Sequence, residues 1–196
     1  MSTLQITRLE ALAKEILESG ICVALASTAT QLVMGDGNPN ADIVLIGEAP
    51  GKQEDISGKP FQGAAGKSLN EMLADAGLNR DDVYITNIVK WRPPNNRDPS
   101  EAEKAESIPY LLKELEIINP KLIITLGRHS MNYFLPGAVI GQIHGQPQTI
   151  MFGGREMTLM PLYHPSAAMY NGKLKETLKE DFAKVPGVIK QIKESE

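Results

Sequence analysis

"DIVLIGEAPGKQED" (residues 42–55) sets four apolar residues in succession after Asp42, three of them β-branched, and then breaks into glycine, proline and acid. A short apolar run bounded by turn residues reads as a buried strand. Gly47, Pro50 and Gly51 then force a tight turn whose backbone N–H groups can approach a small ligand closely. Whether that strand belongs to an α/β fold depends on what flanks it.

On the N-terminal side, residues 3–19 carry Leu4, Leu9, Leu12, Ile16 and Leu17 near helical spacing, and Gly20 ends the pattern. "DGNPNA" (36–41) is a turn cluster. Beyond the opening strand, 65–78 reads as a helix, 82–89 ("DVYITNIV") as a strand, and 121–127 ("KLIITLG") as another buried strand. "RPPNNRDPS" (92–100) carries three prolines and paired asparagines, which exclude regular structure. Ser100 followed by Glu103 predicts a capping box that opens a helix to about Ile118. Residues 148–163 predict a hairpin about Gly153-Gly154 whose second arm enters the core, and 173–185 a closing helix. Strands alternating with helices indicate an α/β fold: a three-layer α/β/α sandwich around a mostly parallel central sheet of about four strands. No linker or repeat divides residues 1–196, so they read as a single domain. Ligands of such sheets bind beyond the carboxyl ends of the strands, which selects "GEAPG", "NIVKWRPPNN", "LGRHS" and "YHPS".

Composition bounds the function. Hydrophobic residues make up 42% of the 196 and charged residues 22%, as in ordinary globular chains. No apolar run is long enough to span a membrane, and Glu10, Lys14 and Glu18 interrupt the N-terminus, so the expected location is the cytoplasm. The single cysteine, Cys22, excludes an intrachain disulfide and a multi-cysteine metal site. A net charge of −4 and a pI near 5.5 argue against strong non-specific DNA binding. They leave room for a local basic face, and Lys59, Lys67, Lys90, Arg92 and Arg97 all lie in the predicted loops or at their edges.

"GAAGKS" (63–68) ends as a phosphate-binding loop ends. Such a loop needs its first glycine five residues before Gly66 and a strand directly ahead of it. That position is Phe61, and the preceding "DISGKPFQ" is a turn-rich loop. The chain is therefore not read as a nucleotide triphosphatase, and Phe61 becomes the residue of interest. Three others follow strand ends: Glu48 in the "GEAPG" turn, Asn87 with an amide that offers a donor and an acceptor together, and His164 in "YHPS".

Taken in order, "GEAPGKQED", "GKPFQGAAGKSLN", "NIVKWRPPNNRDP" and "HPSA" closely resemble the family 4 uracil-DNA glycosylases, from about Val33 to Ser166. The resemblance implies a DNA-repair hydrolase that flips a deaminated base, uracil first, out of DNA and cleaves its N-glycosidic bond. It implies a catalytic pair, Glu48 on the sugar side and His164 at the base O2. It further implies a pocket of Gly47, Ala49, Glu54, Phe61 and Asn87. Phe61 would stack on the base, Asn87 read its edge, and Glu54 shape the pocket against a thymine methyl. Lys90, Arg92, Ser166, Met169 and Tyr170 are the candidate DNA contacts, with Met169 or Tyr170 as an apolar wedge. The chemistry asks for an acid on one side and a donor on the other, and for no metal. The family also carries a four-iron, four-sulfur cluster on four cysteines, whose positions here read Gly20, Val23, Trp91 and Ser107. No cofactor is therefore expected, and Val23 and Trp91 are expected to replace the cluster by apolar packing. The missing cysteines and acidic pI also support a second reading, a non-catalytic or differently specific descendant that binds a base, a nucleotide or damaged DNA.

Overall fold

The computed structural model describes residues 3–195. Helix α1 (Thr3–Ser19) and the short α2 (Val23–Ala26) precede the edge strand β1 (Asp36–Gly37) and the central strand β2 (Ile43–Gly47). Two helices, α3 (Lys52–Ser57) and α4 (Ala64–Asp75), lead to β3 (Tyr84–Asn87). The long α5 (Glu101–Ile118) leads to β4 (Leu122–Leu126), followed by α6 (Arg128–Phe134) and α7 (Ile140–Ile143). The hairpin of β5 (Gln148–Phe152) and β6 (Arg155–Leu162), then α8 (Pro165–Ala168) and α9 (Gly172–Ser195), complete the chain.

The strands form one sheet in the order β1-β3-β2-β4-β6-β5. The inner four run parallel, and both edge strands are antiparallel to their neighbours. The expected four strands are thus six. The extra edge at β1 is two residues inside the predicted turn cluster, too short for any hydrophobic period to mark it.

Side chains alternate across a strand, and β2 uses both faces. Val44 and Ile46 point into a core shared with Leu12 and Ile16 of α1, Leu25 of α2, and Leu111 and Leu115 of α5. Ile43 and Leu45 point into the opposite core with Leu69, Met72 and Leu73 of α4 and Phe182 and Val185 of α9. This is the three-layer sandwich that the alternation of elements predicts. Each such aliphatic side chain contributes ~1.5–3 kcal/mol by leaving water.

Helix α5 opens with the predicted capping box: Ser100 Oγ accepts from Glu103 N (3.2 Å) and Glu103 Oε2 accepts from Ser100 N (2.7 Å). Helix α9 runs on through Pro186 because Val188, Ile189 and Ile192 keep packing against the same core. Among the described residues no helix is long and apolar enough to cross a membrane. Because the four inner strands are parallel, their carboxyl ends share one edge of the sheet, and the segments that follow them meet there.

Candidate active site

A cleft of about 690 Å³ opens at that edge, walled by Glu48, Phe61, Asn87, His129, His164 and Tyr170 among others. Phe61 is held there by its own loop. Its φ of +53° lies in the left-handed region, a strained conformation for a bulky residue. Glu54, buried in α3, maintains it: one carboxylate oxygen accepts from both Gln62 N and Gly63 N at 2.8 Å. Arg80 adds a bond from Nη2 to Pro60 O (2.7 Å). Two glycines make room. A Cβ at Gly66 would strike the Phe61 carbonyl, and one at Gly47 would lie 2.8 Å from the Phe61 ring and against Asn87 Oδ1. The glycines of "GAAGKS" therefore serve close packing at the start of α4, and Lys67 is exposed there.

Asn87 ends β3 beside Gly47 of β2, at 3% exposure. Its backbone carbonyl accepts from Lys90 Nζ (2.8 Å), while no hydrogen bond among the described residues engages its carboxamide. His164 follows β6 and caps α8. Ser166 N donates to its Nδ1 (3.2 Å), and the Ser166 hydroxyl lies 2.7 Å from the same nitrogen. An imidazole nitrogen that accepts from an N–H carries no proton, so the ring is neutral with its proton on Nε2. Burial pushes its pKa down to about 4, reinforced by His129 and opposed by Glu54. The ring centroids of His164 and Phe61 are 5.7 Å apart, tilted by 32°. Gly127, with φ +92°, admits the imidazole: a Cβ there would sit 3.0 Å from His164 Cβ.

Glu48 follows β2. Burial, helped by Asp98 and Glu101 and opposed by Lys104 and Arg128, raises the pKa of its carboxyl to about 7. Lys104 Nζ and His129 Nδ1 lie 3.8 and 3.2 Å from Glu48 Oε1. The cleft thus places a half-buried carboxyl that ionises near neutrality in the same wall as a neutral imidazole carrying a donor proton. Such a site can stabilise opposite charges developing on the two halves of a breaking bond.

Comparison with known proteins agrees. Residues 34–185 match the model of the uracil DNA glycosylase superfamily. The chain belongs to that superfamily. A type-4 uracil-DNA glycosylase of Sulfurisphaera tokodaii is 44% identical over 183 residues, covering 90% of this chain and 83% of that protein. The namesake enzyme of Saccharolobus solfataricus is 49% identical over 78% of this chain and 74% of its own length. That of Archaeoglobus fulgidus is 42% identical over 90% and 91%.

For this superfamily member the cleft unites Glu48, Ala49, Glu54, Phe61, Asn87 and His164, all named from sequence. Gly47 acts by lacking a side chain. Ser166, Met169 and Tyr170 also line the cleft, Tyr170 at 89% exposure. Two expectations need correction. Lys90 is no DNA contact: it is fully buried, and its ammonium meets Glu114 (2.5 Å), Thr86 Oγ1 (2.6 Å) and the Asn87 carbonyl. Val23 does not fill a core, being 64% exposed. Arg92 lies outside the cleft wall, its Nε bonded to Asn96 (2.7 Å). Sequence reasoning missed His129, Arg128, Asp98 and Lys104 around Glu48. "LGRHS" stood out only as a strand-end segment.

The residues at the cluster positions do not fit an iron–sulfur centre. Gly20, Val23, Trp91 and Ser107 offer no thiolate. Cys22 is buried, and its sulfur is engaged by Glu103 O and Ser107 Oγ, both at 3.4 Å. Burial pushes that thiol up, away from the thiolate a metal needs. Trp91 is buried in the same core. Among the described residues, Glu48, Asp98 and His129 are the grouping with cation-ligand spacing, their atoms within 4.8 Å of one another. Lys104 and Arg128 supply positive charge beside it.

Proposed function

We propose that this protein excises uracil from DNA by hydrolysing the N-glycosidic bond of a nucleotide flipped into the cleft. The observation that carries the reading is the Nδ1 cap on His164, which leaves a neutral ring with its proton on Nε2. A neutral donor strengthens its bond as charge grows on the acceptor, without first stabilising the ground state as a cation would.

Uracil stacks on Phe61. Asn87 donates to O4 and accepts from N3–H, and Nε2–H of His164 donates to O2. As the C1′–N1 bond breaks, its electron pair leaves with the base and the sugar becomes cationic. Glu48, as carboxylate, faces that cation and takes the proton of the water whose oxygen bonds to C1′. Tyr170, almost wholly exposed at the rim, supplies the wedge that fills the vacated stack. No step uses a metal or cluster, and aerobically purified protein should contain no stoichiometric iron; four iron atoms per chain would overturn that part. The reading places the enzyme in the cytoplasm, with DNA as its macromolecular partner.

The test is single-turnover excision from a uracil-containing single strand and a U:G duplex, read by strand cleavage at the abasic product. Loss of one well-placed charge-stabilising group costs about 10²–10³ in rate, so His164→Ala should fall by that factor. Wild type no faster than the variant on both substrates refutes the enzyme and favours the base-binding descendant.

A further inference from the structure

His129 has no part in the reaction described above, yet it lies against the acid that has. It sits in the first turn of α6, after β4, and β4 is the sheet neighbour of β2, which carries Glu48. Its Nδ1 is 3.2 Å from Glu48 Oε1. Its other nitrogen, Nε2, receives Arg128 Nε at 3.2 Å and lies 3.5 Å from Asp98 Oδ2, with which it forms no hydrogen bond. A guanidinium only donates, so Nε2 is the acceptor and the proton of the neutral ring is on Nδ1, the nitrogen beside Glu48. Burial lowers the pKa of His129, which favours that neutral ring near pH 7. Glu48 Oε1, for its part, is buried and lacks a formed hydrogen bond. A buried carboxylate oxygen without a donor is costly. At 3.2 Å the ring nitrogen is within reach without a formed hydrogen bond, and catalytic hydrogen bonds often tighten only when substrate closes the site.

We propose that His129 is a positioning residue: its Nδ1–H holds Oε1 of Glu48 and fixes the rotation of the carboxylate, so that Oε2 is the oxygen presented to the sugar and the attacking water. This rests on the glycosylase reading above. The charged groups around Glu48 set the background. Lys104 and Glu101 face it from α5, Asp98 from the preceding loop, and Arg128 from α6 beside His129. Lys104 and Arg128 favour the carboxylate, while Asp98 and Glu101 oppose it. Against these opposing charges His129 supplies a directed donor, and a donor to the ionised form favours that form.

The decisive variants are His129→Phe, which keeps the bulk and the exclusion of water but removes the donor, and His129→Gln, which returns an N–H. Single-turnover excision from a uracil-containing single strand is followed from pH 5 to 9, with affinity for the same strand measured in parallel. His129→Phe should lower the plateau about tenfold and move the acid limb up by about one pH unit, with affinity within about twofold of wild type. His129→Gln should regain most of the plateau. A plateau and acid limb both unchanged in His129→Phe overturn the proposal. So does a loss that affinity shares equally and that His129→Gln fails to relieve. If wild type itself excises nothing, the glycosylase reading fails, and the clamp is tested separately by ¹³C NMR titration of the Glu48 carboxyl, assigned by its loss in Glu48→Gln. There His129→Phe must raise the midpoint by about one unit; an unmoved midpoint overturns the clamp.

Discussion

Replacing Glu54 by alanine should disarm Phe61 without touching it. The Glu54 carboxylate accepts two backbone N–H bonds of 2.8 Å, from Gln62 and Gly63. Hydrogen bonds to a charged acceptor contribute ~1.5–3 kcal/mol each, so the loop loses about 3–6 kcal/mol of restraint. Phe61 sits at φ +53°, a conformation that costs about 1–3 kcal/mol when nothing enforces it, so the freed loop relaxes away from the stacking geometry. Stacking an aromatic side chain on a base contributes ~1–3 kcal/mol. Forfeiting it raises the half-saturating enzyme concentration in single-turnover excision by about 5- to 150-fold. Glu54→Gln keeps an oxygen acceptor and should be much milder. The assay is a double-mutant cycle with Phe61→Ala. If Glu54 acts through the loop, the double variant is little worse than either single one. Additive losses, or normal capture in Glu54→Ala, would show instead that Glu54 contacts the base or contributes nothing.

Two further outcomes follow from the charges. Glu48 acts as carboxylate with its pKa raised to about 7, so excision should fall as pH drops through 7, by about tenfold per unit below it; a limb near the ordinary carboxylate value would refute the assignment. Lys90→Met leaves Glu114 buried without its cation, so the urea midpoint should report a loss of about 3–5 kcal/mol, partly recovered by adding Glu114→Gln; a near-neutral Lys90→Met would refute the buried pair.

What the sequence disclosed, and what it hid, divides along physical lines. Parallel strands buried on both faces read as unbroken apolar runs, which is why residues 43–46 and 122–124 were legible. Residues directly after such strands share one sheet edge, so Glu48, Asn87 and His164 could be grouped before any coordinates. The two-residue β1 and the short α3, α6 and α7 carry too few residues for a period. Lys90 looked like a loop cation because its partner, Glu114, lies 24 residues further on, across the α5 interface. His129 was hidden for a related reason. Its meeting with Glu48 depends on β4 lying beside β2, and strand order is not written in local spacing.

Glu103 stands at a junction whose consequence is logistical. Its carboxylate binds Arg97 (2.6 and 2.8 Å) and the Ser100 amide, while its carbonyl receives the Cys22 thiol and the Ser107 hydroxyl. The Cys22 amide in turn donates to Glu106 (2.6 Å). The N-terminal segment is thereby tied to the loop at the cleft mouth by atoms the ribosome itself supplies. A tie of that kind closes as the chain folds, without waiting for an assembly machinery to deliver a prosthetic group. Its lifetime is set by ordinary unfolding, since each link is a hydrogen bond or ion pair within the one chain.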